Sequence, residues 1–172
     1  MSEDFSHRLP LDRIRGGERV DLVASEAECA AIAKRLGLVS LDRLDAHAVL
    51  EPDGTQVRAT GRVKAALVQS CVASGEPLPA RVDEPFEILF VPEPQGRGEE
   101  ELELGAGELD VVFHDGAAIE LGSAIADTLA LAIDPFPRGP SADAALKAAG
   151  VLSEEQAGPF AALAKLRGKE SE

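Results

Sequence analysis

An α+β fold, an antiparallel β-sheet carrying two main helices, is what this sequence predicts, and three stretches predict it. Between Gln56 and Ser70, Val57, Ala59, Val63, Ala65 and Leu67 alternate with Arg58, Thr60, Arg62 and Lys64. A strand with one buried face imposes that period of two. Ser25-x-x-Glu28, followed by Cys29, Ile32, Ala33 and Leu36 at steps of three and four, has the form of a capped amphipathic helix with Gly37 as its stop. The Ala/Leu/Ile-rich run from Glu120 to Ile133 is apolar on nearly every side and so reads as a buried helix, ended by Pro135 and Pro137.

The remaining elements fall around these. Residues 5–23 read as two short strands about the Gly16-Gly17 turn. Leu44–Leu50 is the partner of the long strand, joined to it through Pro52-Asp53-Gly54. Gly61 falls on the core face of that strand and marks a place for a bulge. After a turn containing Gly75, Pro77 and Pro79, a further strand from Ala80 to Val91 puts Phe86, Ile88 and Phe90 on one side. Residues 92–107 lack periodicity and carry a run of glutamates, which predicts a flexible acidic loop with room for one helical turn at 99–104. Leu109–His114 is a last strand, closed by Asp115-Gly116, and a short helix fits Ala142–Ala149. This organisation predicts one domain over 1–137, then a mobile Ala-rich connector and a short helical motif over 138–172.

The chain has 172 residues, 45 % of them hydrophobic, with six Phe and no Trp or Tyr, so its core must be aliphatic. That excludes a disordered chain or a collagen-like repeat, and two cysteines exclude a disulfide scaffold. Met1–Pro10 lacks the apolar core of a signal peptide, and Asp127 interrupts the best apolar run, so a cytoplasmic protein with no membrane partner is expected. The formal charge is −14. From Arg8 to Arg81 there are eleven basic and ten acidic residues, whereas from Glu93 to Asp127 there are ten acidic and one basic. The acidity is therefore a local block. A chain so charged is a poor RNA coater, and direct tight RNA binding is not what its charge predicts.

Catalytic patterns are weak. Gly168-Lys169-Glu170 lacks the other residues of a phosphate loop, and Gly96, Gly98, Gly105 and Gly107 follow no strong strand. His114-Asp115 has the residue types of an acid–base pair and also the Asp-Gly of a tight turn, the simpler reading. His47 reads as a sheet residue. Cys29 reads as a small hydrophobe, and Cys71 ends a strand in no recognisable nucleophile setting. The glutamates at 99–101 read as a solvated loop rather than an ion site. No catalytic residue and no cofactor is implied. Arg58, Arg62 and Lys64 form a basic stripe, either a solvated face salt-bridged to Glu51 or Asp45 or a contact surface for RNA phosphate or an acidic partner. The terminal PFAALAKLRGK repeats Phe160, Leu163 and Leu166 beside Lys165, Arg167 and Lys169, which suits either a helix docked in a partner's groove or one packed on its own domain.

The order of motifs along the chain has a counterpart. A strand-end Cys71, Glu76-Pro77, a strand ending in Phe90-Val91-Pro92, an acidic loop, a strand, an apolar helix ending near Pro135, and a terminal Pro159-Phe160-Ala161-Ala162-Leu163 together resemble the YceD family, the large ribosomal RNA subunit accumulation proteins. The resemblance spans essentially the whole chain. It implies a non-enzymatic factor supporting synthesis, processing or stability of large-subunit (23S) ribosomal RNA, since no catalytic activity is established for that family. Many members carry Cys-x-x-Cys where this chain has Cys71-Val72-Ala73-Ser74, and further cysteine after the second helix. Ser74 and a segment without Cys beyond Pro137 remove those ligands, so no stoichiometric zinc is expected. With the charge considered, the expected partner is a ribosomal or ribosome-assembly protein. An interaction adaptor unrelated to ribosomes is the alternative, and a hydrolase or thiol enzyme built on Cys71 and a histidine is the remaining class.

Overall fold

Ser25 accepts the backbone N–H of Glu28, whose carboxylate takes the Ser25 N–H in return at 2.7 Å. That reciprocal cap opens α1 (Glu26–Leu36), and Gly37, at φ 66°, closes it in the left-handed conformation a side chain resists. In the computed structural model, which describes residues 5–94 and 110–151, the other elements are β1 (Arg8–Pro10), β2 (Glu18–Val23), β3 (Ser40–Asp53), β4 (Gln56–Ser70), β5 (Pro77–Pro92), β6 (Asp110–His114), β7 (Ala118–Glu120), α2 (Leu121–Ala132) and α3 (Ala142–Ala148). The fold is α+β.

Five strands form one sheet in the order β2-β3-β4-β5-β6, and β1 pairs with β7 in a second, small sheet. The pairs β2–β3 and β3–β4 are antiparallel. The β3–β4 loop is only Gly54-Thr55, with Gly54 at φ 60°. Thr55 keeps a negative φ, so the turn has the Gly-first form of a type II′ hairpin, whose twist matches its strands.

Several expectations are corrected. β6 runs parallel to β5, from Ile88 opposite Asp110 to Pro92 opposite His114, so the sheet is mixed rather than wholly antiparallel. The connection of residues 93–109 is long enough for the crossover a parallel pair needs. The strands of residues 5–23 do not pair with each other. A 3-10 turn at Leu11–Arg13 separates them, β1 aligns with β7 (Leu9 opposite Ile119), and β2 aligns with β3 (Val20 opposite Ala48). β5 begins at Pro77, so both prolines of the predicted turn lie in the strand. Gly61 carries no bulge; the β3–β4 ladder slips instead between Leu41 and Arg43. What Gly61 supplies is room, because a Cβ there would overlap the His47 carbonyl and lie 2.9 Å from Phe86 Cζ. α2 is not buried all round: Leu121, Ala124, Ile125 and Leu129 enter the core, but Leu131 is 77 % exposed.

The core is aliphatic with three rings, Phe5, Phe86 and Phe90. Val57, Ala59, Val63, Ala65 and Leu67 of β4 pack with Leu44 and Leu50 of β3, Phe86, Ile88 and Phe90 of β5, Ile32 of α1, and Ile125 and Leu129 of α2. Each large side chain so buried contributes roughly 1.5–3 kcal/mol. The opposite face of β3, β4 and β5 turns to solvent. Within the described residues the contacts define two compact units, 1–69 with 79–135, and 70–78 with the residues from Phe136 on. The segments 95–109 and 152–172, which hold most of the predicted acidic loop and the terminal motif, lie outside the described residues.

Candidate functional site

Alternation on β4 puts Arg58, Arg62 and Lys64 together on the outer face, as the sequence predicts. Their partners are not the expected ones. Arg58 pairs with Glu87 and Arg62 with Asp83, both on β5, while Lys64 Nζ lies 3.9 Å from Asp83 Oδ2. Glu51 and Asp45 do stand opposite Arg58 and Lys64 in the β3 register. Asp45, however, is taken by Arg43 Nε at 2.6 Å. β5 flanks the stripe on its other side and offers two carboxylates. The hydrogen bond from Arg62 holds the Asp83 carboxyl below its ordinary range against the opposing effect of burial. The side chains of these pairs are about half exposed, so each contributes little and is screened by salt. The stripe is a charge-compensated face: three cations against two carboxylates.

The second feature is the loop after β4. Cys71 donates its N–H to the Glu76 carbonyl at 2.8 Å and accepts Gly75 N–H on its own carbonyl at 2.9 Å, which closes a tight turn with Gly75 at φ 74°. Val72 N–H reaches the Pro137 carbonyl at 2.9 Å, stitching this loop to the segment before α3. The buried Cys71 Sγ receives two backbone N–H groups, from Gly139 at 3.4 Å and Ser74 at 3.5 Å. These donors, Gly139 first, favour the thiolate and pull the Cys71 thiol down to about 6. Glu76 accepts the hydroxyls of Ser74, at 3.1 Å, and of Ser141. Cys71 and Glu76 thus belong to one hydrogen-bonded loop, and Pro77 opens β5 beside it. Cys29, by contrast, lies in the core, and burial pushes its thiol up.

His114 and Asp115 are each committed to backbone. Gly116 N–H donates to His114 Nδ1 at 3.0 Å, so the ring carries its proton on Nε2 and donates it to the Thr55 carbonyl at 2.9 Å. The buried imidazole thereby ties the β3–β4 hairpin loop to the β6–β7 turn. Asp115 Oδ1 accepts the N–H groups of Ala117 and Ala118, and Oδ2 takes Arg8 at 2.8 Å. The Arg8 guanidinium and these N–H groups hold the Asp115 carboxyl well below its usual range. Among the described residues no group of three or more His, Cys, Asp or Glu is placed to hold a metal ion, and no helix is long and apolar enough to cross a membrane. Pro159, Phe160 and Leu163 lie outside the described residues.

Sequence reasoning missed the β5 carboxylates as partners of the stripe, and it missed Asp42, Arg43 and Arg81 altogether. One signal was present: Asp42-Arg43 puts two polar residues between Leu41 and Leu44, where alternation allows one. The meeting of Cys71 with Gly139 had no local signal.

The fold and these features define a class: an α+β domain with a charge-compensated sheet face and a thiol-containing loop held by backbone hydrogen bonds. The chain belongs to the YceD family. The family model described as large ribosomal RNA subunit accumulation protein YceD matches residues 59–167, more than half of the sequence, from β4 through the terminal Pro159-Phe160. The comparisons with curated proteins and with solved structures found no match.

Proposed function

We propose that this protein is a non-catalytic factor that supports accumulation of large-subunit ribosomal RNA in the cytoplasm, acting through a protein partner. The family match over residues 59–167 carries the ribosomal part of the reading. Charge carries the rest. A chain of net −14 repels a polyphosphate at long range. Its basic stripe is engaged by Asp83 and Glu87, so little positive field is left over for RNA. A basic ribosomal or assembly protein suits the acidic block between Glu93 and Asp127. The side chains with chemical potential support a non-catalytic role: His114 and Asp115 are occupied with backbone groups, and the Cys71 sulfur is buried away from any substrate.

The test is a sucrose gradient of cells with and without the gene, read as the ratio of large- to small-subunit ribosomal RNA with the protein blotted across fractions. A specific large-subunit deficit, with the protein in pre-ribosomal fractions that it leaves as salt rises, is the expected result. A normal ratio with the protein only at the top of the gradient would overturn the ribosomal reading and favour an adaptor of another kind. Comigration insensitive to salt would overturn the electrostatic partner alone.

A further inference from the structure

We propose that the outer face of the sheet carries a docking trough for an extended peptide of mixed charge, held between Asp42 on β3 and Arg81 on β5. Two depressions, of about 460 and about 380 Å³, open on this face and share Ala66 and Arg81, so together they cross β3, β4 and β5. The slip in the β3–β4 ladder builds one wall. Leu41 and Leu44 are both buried, and the two residues between them, Asp42 and Arg43, are both exposed. A bulge re-aims side chains in this way. Arg43 stands opposite Ala66, the smallest outward residue in a row with Arg62, Lys64 and Val68, and Ala66 forms the floor.

The charges are unevenly satisfied. The other cations of this face have carboxylates: Arg19 with Asp21, Arg43 with Asp45, Arg58 with Glu87, and Arg62 and Lys64 with Asp83. Arg81 and Asp42 make no ion pair among the described residues, although both line the smaller depression. One unpaired cation and one unpaired anion therefore face the same trough from strands separated by β4, about 10 Å apart at the usual strand spacing.

That pattern selects the occupant. A polyanion fits poorly, because the lining holds Asp42, Asp45 and Asp83 beside Arg43, Lys64 and Arg81, and no aromatic ring on which a base would stack. An extended peptide with a basic and an acidic residue two apart fits both ends. Such residues share a face about 7 Å apart, and the reach of long side chains covers the remainder. Ala66 and Pro79 leave the backbone of the guest room to approach.

The experiment uses the full-length ¹⁵N-labelled chain, titrated separately with a dodecapeptide of Lys-Thr-Glu-Thr repeats, with dodecalysine and with hexauridylate. The mixed peptide should shift the amides of Asp42, Ala66 and Arg81, and Arg81→Glu should weaken it about threefold or more. The thermal midpoint should stay unchanged, because Arg81 has no ion pair to lose among the described residues. Binding unaffected by Arg81→Glu, shifts confined to other faces, or tighter binding of dodecalysine or hexauridylate at these residues would each overturn the proposal. It stands independently of the ribosomal role, which the gradient tests in cells.

Discussion

Cys71 shows how one atom couples two distant stretches of sequence. Its sulfur accepts N–H groups from Ser74, three residues on, and from Gly139, sixty-eight residues on. Because the folded thiol is lowered to about 6 while an unfolded one lies near 8.5, the thiolate form stabilises the fold. The sign follows: this contribution is fully present above about pH 8.5 and is lost as pH falls through about 6. The thermal midpoint of the native chain should therefore rise between pH 6 and 8.5 relative to Cys71→Ser measured under the same conditions. A constant difference across that range would show that the two N–H groups do not favour the thiolate. A hydrogen-bonded thiolate of this kind is recognised from structure, since Cys71-Val72-Ala73-Ser74 by itself shows one cysteine and no partner.

At the scale of elements, the local rules held wherever the physics was local. The capping box of α1, its Gly37 stop and the length of β4 follow from neighbours in sequence, and the sequence-based limits for β4 match the observed Gln56–Ser70. Gly61 is where local reasoning failed, for a physical reason. Its rule offered a bulge, but the constraint comes from Phe86, which lies on β5, and from the carbonyl of His47 on β3. Gly61→Ala should accordingly destabilise the protein by about 1–3 kcal/mol through overpacking. A shifted denaturant midpoint at unchanged m-value checks it, and a neutral result would mean that β3 and Phe86 can yield.

For the whole molecule, the question is what a chain of −14 does with its few cations. The stripe spends them on β5, so replacing Arg58, Arg62 and Lys64 together by Gln should cost a few degrees of thermal midpoint at low salt. The loss should shrink in 1 M salt, where exposed pairs are screened. A salt-independent loss would point to packing of the long aliphatic stems instead. The same substitutions read in the gradient separate a structural stripe from a contact surface: unchanged comigration of a folded triple variant removes these residues from any interface.

What the sequence by itself determined is what short range dictates: the α+β class, the capped helix, the alternation that divides β4 into a core face and a charged face, the Asp115-Gly116 turn, and the family order of motifs. What only the tertiary structure decided depends on which strands become neighbours. That includes the parallel placement of β6, the separation of β1 from β2, the carboxylates that face the stripe, the donors that reach Cys71, and the trough between Asp42 and Arg81. Alternation assigns a side chain to a face. It does not say which strand lies beside it, because strand order is settled by the burial of the whole apolar face at once.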